Sequence, residues 1–127
     1  MEETLIKHSK KNFEDLEVWK LGIQLFINIS QIFGNEKFKD YYFKDQILRA
    51  TLSISNNIAE GYERQSNREL IRFLYISKGS CGEVRSMLHL AEQQGFIDSE
   101  KSKELRLNCV TISVKISNFI KYLSNNL

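Results

Sequence analysis

Proline is absent from all 127 residues, and glycine is held to six positions. Proline inside a helix removes a backbone donor and collides with the preceding turn, so a chain without it is free to run in long uninterrupted helices. There are only two cysteines, Cys81 and Cys109, far apart and each set among apolar or small residues. Such residues read as packed thiols in a reducing cytoplasm rather than as a disulfide frame. No apolar run approaches the ~20 residues that crossing a bilayer requires. The first dozen residues are polar and mixed in charge, without the apolar stretch of a secretory signal. The expectation is therefore a cytoplasmic protein with no membrane segment. Charge of one sign is also scarce: a net +2 is too small to argue for nucleic acid by itself.

What remains is helical periodicity in a chain of single-domain length. Residues 1–12 read as a flexible arm, and residues 13–127 as one bundle domain. A first helix is predicted from Phe13 to Phe33, with Glu14, Asp15 and Glu17 complementing its dipole and Gly34-Asn35 as its stop. It carries two apolar seams, one through Leu16, Trp19 and Ile23, the other through Val18, Leu25 and Ile29. Two seams leave little surface for water, which makes Val18, Trp19 and Leu25 candidate contacts between copies of the chain. A second helix is predicted from near Asp40 to Gly61. Ser66-Asn67-Arg68-Glu69 has the form of a capping box and opens a third, which Gly95 closes. Asp98 or Ser99 caps a fourth. No window alternates as a strand does, so the fold class is all-α, an antiparallel up-down-up-down four-helix bundle.

The second helix holds an unusual line. Arg49, Ser53, Asn56 and Glu60 recur at steps of four, three and four beside the apolar stripe Ile47, Ala50, Ile54 and Ile58. Amides and hydroxyls lower helix propensity, so the folded assembly must compensate them. The expectation is a buried polar network of Arg49, Asn56, Asn57, Glu60 and Glu83 that fixes helix register rather than a catalytic carboxylate. Ser77, Gly79, Ser80 and Gly82 are expected to let the third helix approach the second closely.

Chemistry-bearing motifs are few. A di-iron bundle needs Glu-x-x-His pairs, whereas His8 lies in the arm and His89 follows Ser86 by three. Neither cysteine joins His89 in a metal-ligand spacing, and no phosphate-binding glycine loop occurs. No catalytic residue, metal or cofactor is expected, and the chain reads as a non-enzyme. Binding is better supported. Arg64, Arg68 and Arg72 fall four apart, and Lys103 and Arg106 open the fourth helix. Residues 64–95 and 96–127 each hold five basic and three acidic side chains. These five residues are candidate phosphate contacts for RNA or DNA. A protein-binding adaptor without nucleic acid is the competing reading.

Several motifs occur together and in order: Phe13-Glu14-Asp15-Leu16-Glu17-Val18-Trp19, Gln46 with Arg49-Ala50, and Ser53 through Gly61. Arg64, Phe73-Leu74, Gly79-Ser80 and Glu83 complete the set. In these residues the chain resembles a small bacterial four-helix-bundle family named after proteins encoded in 23S rRNA intervening sequences. Relatives of that family include the accessory protein of diversity-generating retroelements. The resemblance implies a homopentamer around a central channel and, through the retroelement relatives, nucleic acid and a reverse transcriptase as partners. Two departures stand out. Phe38-Lys39-Asp40-Tyr41-Tyr42-Phe43 replaces the usual Pro-Lys-x-Glu stretch, and Arg85 stands where a second acidic residue often follows Glu83.

Overall fold

A computed structural model describes residues 12–127; the arm expected over residues 1–12 lies, apart from Asn12, outside the described residues. The structured part opens with a 3-10 turn, Phe13–Asp15, followed by helices α1 (Glu17–Phe33), α2 (Tyr41–Tyr62), α3 (Asn67–Gln93) and α4 (Ser99–Ser124). Each helix packs on the next and α4 returns to α1, giving an all-α antiparallel four-helix bundle.

The first helix starts four residues later than its periodicity indicates. Asn12 N–H donates to the Asp15 carboxylate at 3.0 Å, and Asp15 N–H donates to the Asn12 carbonyl at 3.0 Å. That local pairing closes a separate turn, and Leu16 is extended (φ −76°, ψ 129°) before α1 begins. The other ends lie where their capping chemistry indicates. The Asp40 carboxylate accepts from Phe43 N–H at 3.0 Å, so α2 starts without the missing proline motif. Ser66 Oγ accepts from Glu69 N–H at 3.1 Å, and Asp98 from Lys101 N–H at 2.7 Å. After α3, Gly95 takes a positive φ of 76° and Phe96 N–H reaches back to the Ala91 carbonyl at 2.8 Å. This is the left-handed turn that glycine adopts without a Cβ penalty.

One core runs the length of the bundle, with Leu25, Ile29, Ile54, Leu74, Leu88 and Ile112 buried within it. One end is closed by four rings. Phe38, from the α1–α2 link, meets Phe33 at 5.1 Å and Phe96 at 5.0 Å, edge to face, and Phe43 meets Phe96 at 5.2 Å. Edge-to-face rings add about 0.5–1.5 kcal/mol per pair beyond their burial. They tie the α1–α2 link to the α3–α4 turn.

The seam assignment on α1 requires correction. Val18 (5% exposed) and Leu25 (2% exposed) belong to the bundle's own core, so they are not available to a second copy. Trp19 is half-buried, with Phe13 edge-on at 5.4 Å. The close approach of α2 and α3 rests on the two serines of the expected set and not on its glycines. Ser77 Oγ donates to the Ile54 carbonyl at 2.7 Å, and the Ser53 and Ser80 hydroxyls are 2.8 Å apart. Gly79 and Gly82 instead face outward: a Cβ on either would meet nothing within 4 Å. The glycine that the α2–α3 contact needs is Gly61, where a Cβ would stand 2.6 Å from the Phe73 Cβ.

Candidate nucleic-acid interface

The polar line of α2 does not form the expected buried network within the chain. At 100° per residue the core stripe of Ile47, Ile54 and Ile58 sits roughly 120–180° from Arg49, Asn56 and Glu60, which are turned to solvent. Glu60 pairs with Arg64 at 3.2 Å, one turn on, rather than with Arg49 or Glu83. Arg49 and Glu83 are both exposed, and neither makes an ion pair among the described residues. Only the residues at the helix edge are engaged: Asn57 Nδ2 donates to the Ser53 carbonyl and hydroxyl, both at 2.8 Å.

The basic candidates divide into two groups at opposite ends of α3, about 30 Å apart at ~1.5 Å per residue. At the first end, the Arg64 and Arg72 guanidinium groups both lie over the Phe73 ring, 4.8 and 4.7 Å from its centroid. Both are already matched, Arg64 by Glu60 and Arg72 by Glu69 at 3.1 Å. The hydrogen bond from Arg72 holds the Glu69 carboxyl below its ordinary pKa. Arg68 is exposed and makes no ion pair among the described residues. With Glu60, Glu63 and Glu69 beside them, these three arginines carry no local excess of charge.

At the other end, Lys103 and Arg106 meet α3 across a groove of about 480 Å³. Arg85, Ser86 and His89 line its α3 side, and Lys103, Arg106 and Leu107 its α4 side, with no carboxylate in the lining. A smaller hollow of about 130 Å³ continues it past Gly82 and Arg85 to Lys78 and Ser113. Arg106 is held rigidly. Its Nε donates to Ser102 Oγ at 3.1 Å, its Nη2 to Glu92 at 3.1 Å, and its Nη1 lies 3.5 Å from His89 Nε2. Ser102 is itself anchored, donating to the Leu88 carbonyl at 3.2 Å. Arg85 and Lys103 are exposed and make no ion pair among the described residues, so their charge is available to a ligand. Lys78, Arg85, Lys103 and Arg106 against Glu92 leave the groove with three positive charges in excess, His89 aside.

Covalent and metal chemistry find little support here. Cys81 and Cys109 line the small hollow, but burial pushes both thiols up to about 12, where they stay protonated and weakly nucleophilic at neutral pH. Among the described residues no group of His, Cys, Asp and Glu has the arrangement to hold a metal ion. The arrangement suits an anion: one anchored and two unpaired cations, Arg106, Arg85 and Lys103, around an open groove.

Sequence reasoning found Lys103 and Arg106 but missed Arg85 and His89 as their partners. A signal was present: Lys78, Gly82, Arg85 and His89 recur at steps of four, three and four, and α4 holds no acidic residue after Glu104.

A family model described as "23S rRNA-intervening sequence protein" matches residues 14–118. Among solved structures, the chain is similar to a protein of unknown function from the S23 ribosomal protein family of Bacteroides thetaiotaomicron VPI-5482, determined at 1.70 Å resolution. The two share 25% identity and superpose with a TM-score of 0.76, covering 82% of this chain and 98% of the other. Comparison with the curated proteins gives no match.

Proposed function

Taking as premise that the chain belongs to the 23S rRNA-intervening sequence protein family, we propose that it is a non-enzymatic, nucleic-acid-associated bundle whose phosphate-binding site is the α3–α4 groove. The observation that carries this reading is the lining itself: Arg85, Lys103 and Arg106 converge there without a carboxylate in the wall. Each phosphate neutralised by such a cation releases condensed counterions and adds salt-dependent affinity. RNA is preferred to DNA as the ligand, and a cytoplasmic setting follows from the same proposal. No helix among the described residues is long and apolar enough to cross a membrane.

The proposal includes self-assembly. With Val18 and Leu25 in the core, support for it moves to α4, where Thr111, Val114, Asn118 and Tyr122 form an uncharged exposed strip. Val114 and Tyr122 are 53% and 52% exposed. A ring of five, the state implied by the family resemblance, would repeat the groove around its rim and raise avidity without any new contact. A link to retroelements, with a reverse transcriptase as partner, is the most specific form of the proposal. A retroelement cassette among the neighbouring genes supports that form, and an rRNA insertion rules it out.

Mobility shifts with RNA, comparing the wild type with the Arg85→Gln/Lys103→Gln double variant, test the groove. Binding by the wild type and its loss in the variant are expected. Absence of any shift at low salt, with a protein partner recovered in a nuclease-resistant pull-down, would favour the adaptor instead. Light scattering tests assembly, and a 14.9 kDa monomer at all micromolar concentrations would remove the avidity step.

A further inference from the structure

The two basic groups are separate only when counted by charge. Along α3, Arg68, Arg72, Tyr75, Gly79, Gly82 and Ser86 recur at steps of four, three, four, three and four, and His89 follows three later. That spacing keeps them in one line on one helix face. All of them are exposed, and Lys78 and Arg85 flank the line on its α4 side, where they border the groove. Two carboxylates border the line on the side away from α4: Glu69, paired with Arg72 at 3.1 Å, and Glu83, four residues after Gly79 and three before Ser86. Two properties separate the line from an ordinary solvated face. The Tyr75 ring, 59% exposed, stands between the two basic ends. Beyond it, Gly79 and Gly82 leave bare backbone with nothing above where a Cβ would sit.

We infer that this line is the path of one single strand of nucleic acid, running along α3 from the Arg68–Arg72 end to the Lys103–Arg106 end. The inference rests on the groove reading and adds the strand state, the path and a stacking residue. A single strand offers unpaired bases, whose π-faces stack on aromatic side chains without regard to sequence. Within a duplex the base faces are stacked on one another and only their edges and the backbone are presented, so Tyr75 has no base face to stack on. The glycine floor lets a strand lie against the helix where longer side chains would lift it away. From Arg68 to His89 the line is roughly 32 Å long at ~1.5 Å per residue. That length suits about nine nucleotides at the stacked spacing of ~3.4 Å, and fewer when the strand is extended. An acidic peptide would meet the same cations but has no ring for Tyr75.

Fluorescence anisotropy at low salt tests the path with the full chain and three probes: a labelled single-stranded RNA of about nine nucleotides, the matching duplex, and a polyglutamate peptide. Three variants are compared with the wild type: Tyr75→Ala, Gly82→Glu and Lys103→Gln/Arg106→Gln. A Cβ at Gly82 meets no atom within 4 Å, and thermal melting followed by circular dichroism checks that each variant is folded. The expected result is tighter binding of the single strand than of the duplex. Tyr75→Ala should weaken single-strand binding about 5- to 150-fold, and Gly82→Glu should weaken it by placing a carboxylate on the path. If single strand and duplex bind alike, and only the Lys103/Arg106 variant loses affinity, the path is wrong and the groove reading stands. Binding of the peptide alone, or of none of the probes, overturns both.

Discussion

Arg106 and Glu92 form the most enclosed ion pair among the described residues, joining α4 to α3 at 3.1 Å with side chains 22% and 32% exposed. The pair sits at the mouth of the groove and has two opposed effects. It ties the helices together, and it neutralises a cation that a phosphate would otherwise meet. Glu92→Gln should therefore lower stability by about 1 kcal/mol, the upper range for a partly exposed pair, and at the same time raise affinity for RNA. Denaturant melts and anisotropy on the same variant check both signs. Unchanged affinity in a folded Glu92→Gln protein would mean that Arg106 serves only the bundle.

The glycines of the bundle should respond in opposite directions to alanine. At Gly61 the added Cβ would stand 2.6 Å from the Phe73 Cβ, and α2 and α3 would have to separate. Overpacking of this kind costs about 1–3 kcal/mol. At Gly82 the Cβ is unobstructed, and Gly82→Ala should stabilise α3 by roughly 0.5–1 kcal/mol through helix propensity alone. Urea midpoints of the two variants, one moving down and the other up, are the check.

Burial raises both cysteine pKa values from 9.0 to about 12. The unfolded chain releases these protons at lower pH than the folded one. Stability from this source is therefore complete below the unfolded pKa and is lost as pH rises from about 9 towards 12. The slope is at most about 1.4 kcal/mol per pH unit for each thiol. Cys81→Ala/Cys109→Ala should flatten the alkaline limb of the stability profile, and the wild-type thiols should resist alkylation until the protein is unfolded.

Much of the fold was legible because its signals are local. Ser66, Asp98 and Gly95 mark helix ends through chemistry that spans only a few residues, and the structure places those ends accordingly. The 3-10 turn was missed because Phe13–Asp15 fits a helical pattern as well as it fits a turn closed by Asn12. Val18 and Leu25 were misassigned for a different reason. Two seams on one helix have the same period, and only the position of α2 and α4 decides which of them is the core. The polar line is a different case. Spacing puts Arg49, Asn56 and Glu60 on one face, and the same spacing sets that face across the helix from Ile47, Ile54 and Ile58 rather than beside them. Its exposure was legible, and the expected burial was a misreading of the angle. Arg85 and His89 were not joined to Lys103 and Arg106 because a groove belongs to two helices, and neither helix alone shows its wall.

The salt dependence of RNA binding tests the groove most directly. The logarithm of affinity should fall linearly with the logarithm of salt concentration, with a slope of about −0.7 for each phosphate neutralised on a single strand. Replacing Arg85 and Lys103 by Gln should reduce the magnitude of that slope by about 0.7 for each residue in phosphate contact. Arg64→Gln and Arg72→Gln, at positions already matched by Glu60 and Glu69, should change it much less. A folded Arg85→Gln/Lys103→Gln protein with the wild-type slope and affinity would contradict the assignment of the α3–α4 groove as the phosphate site.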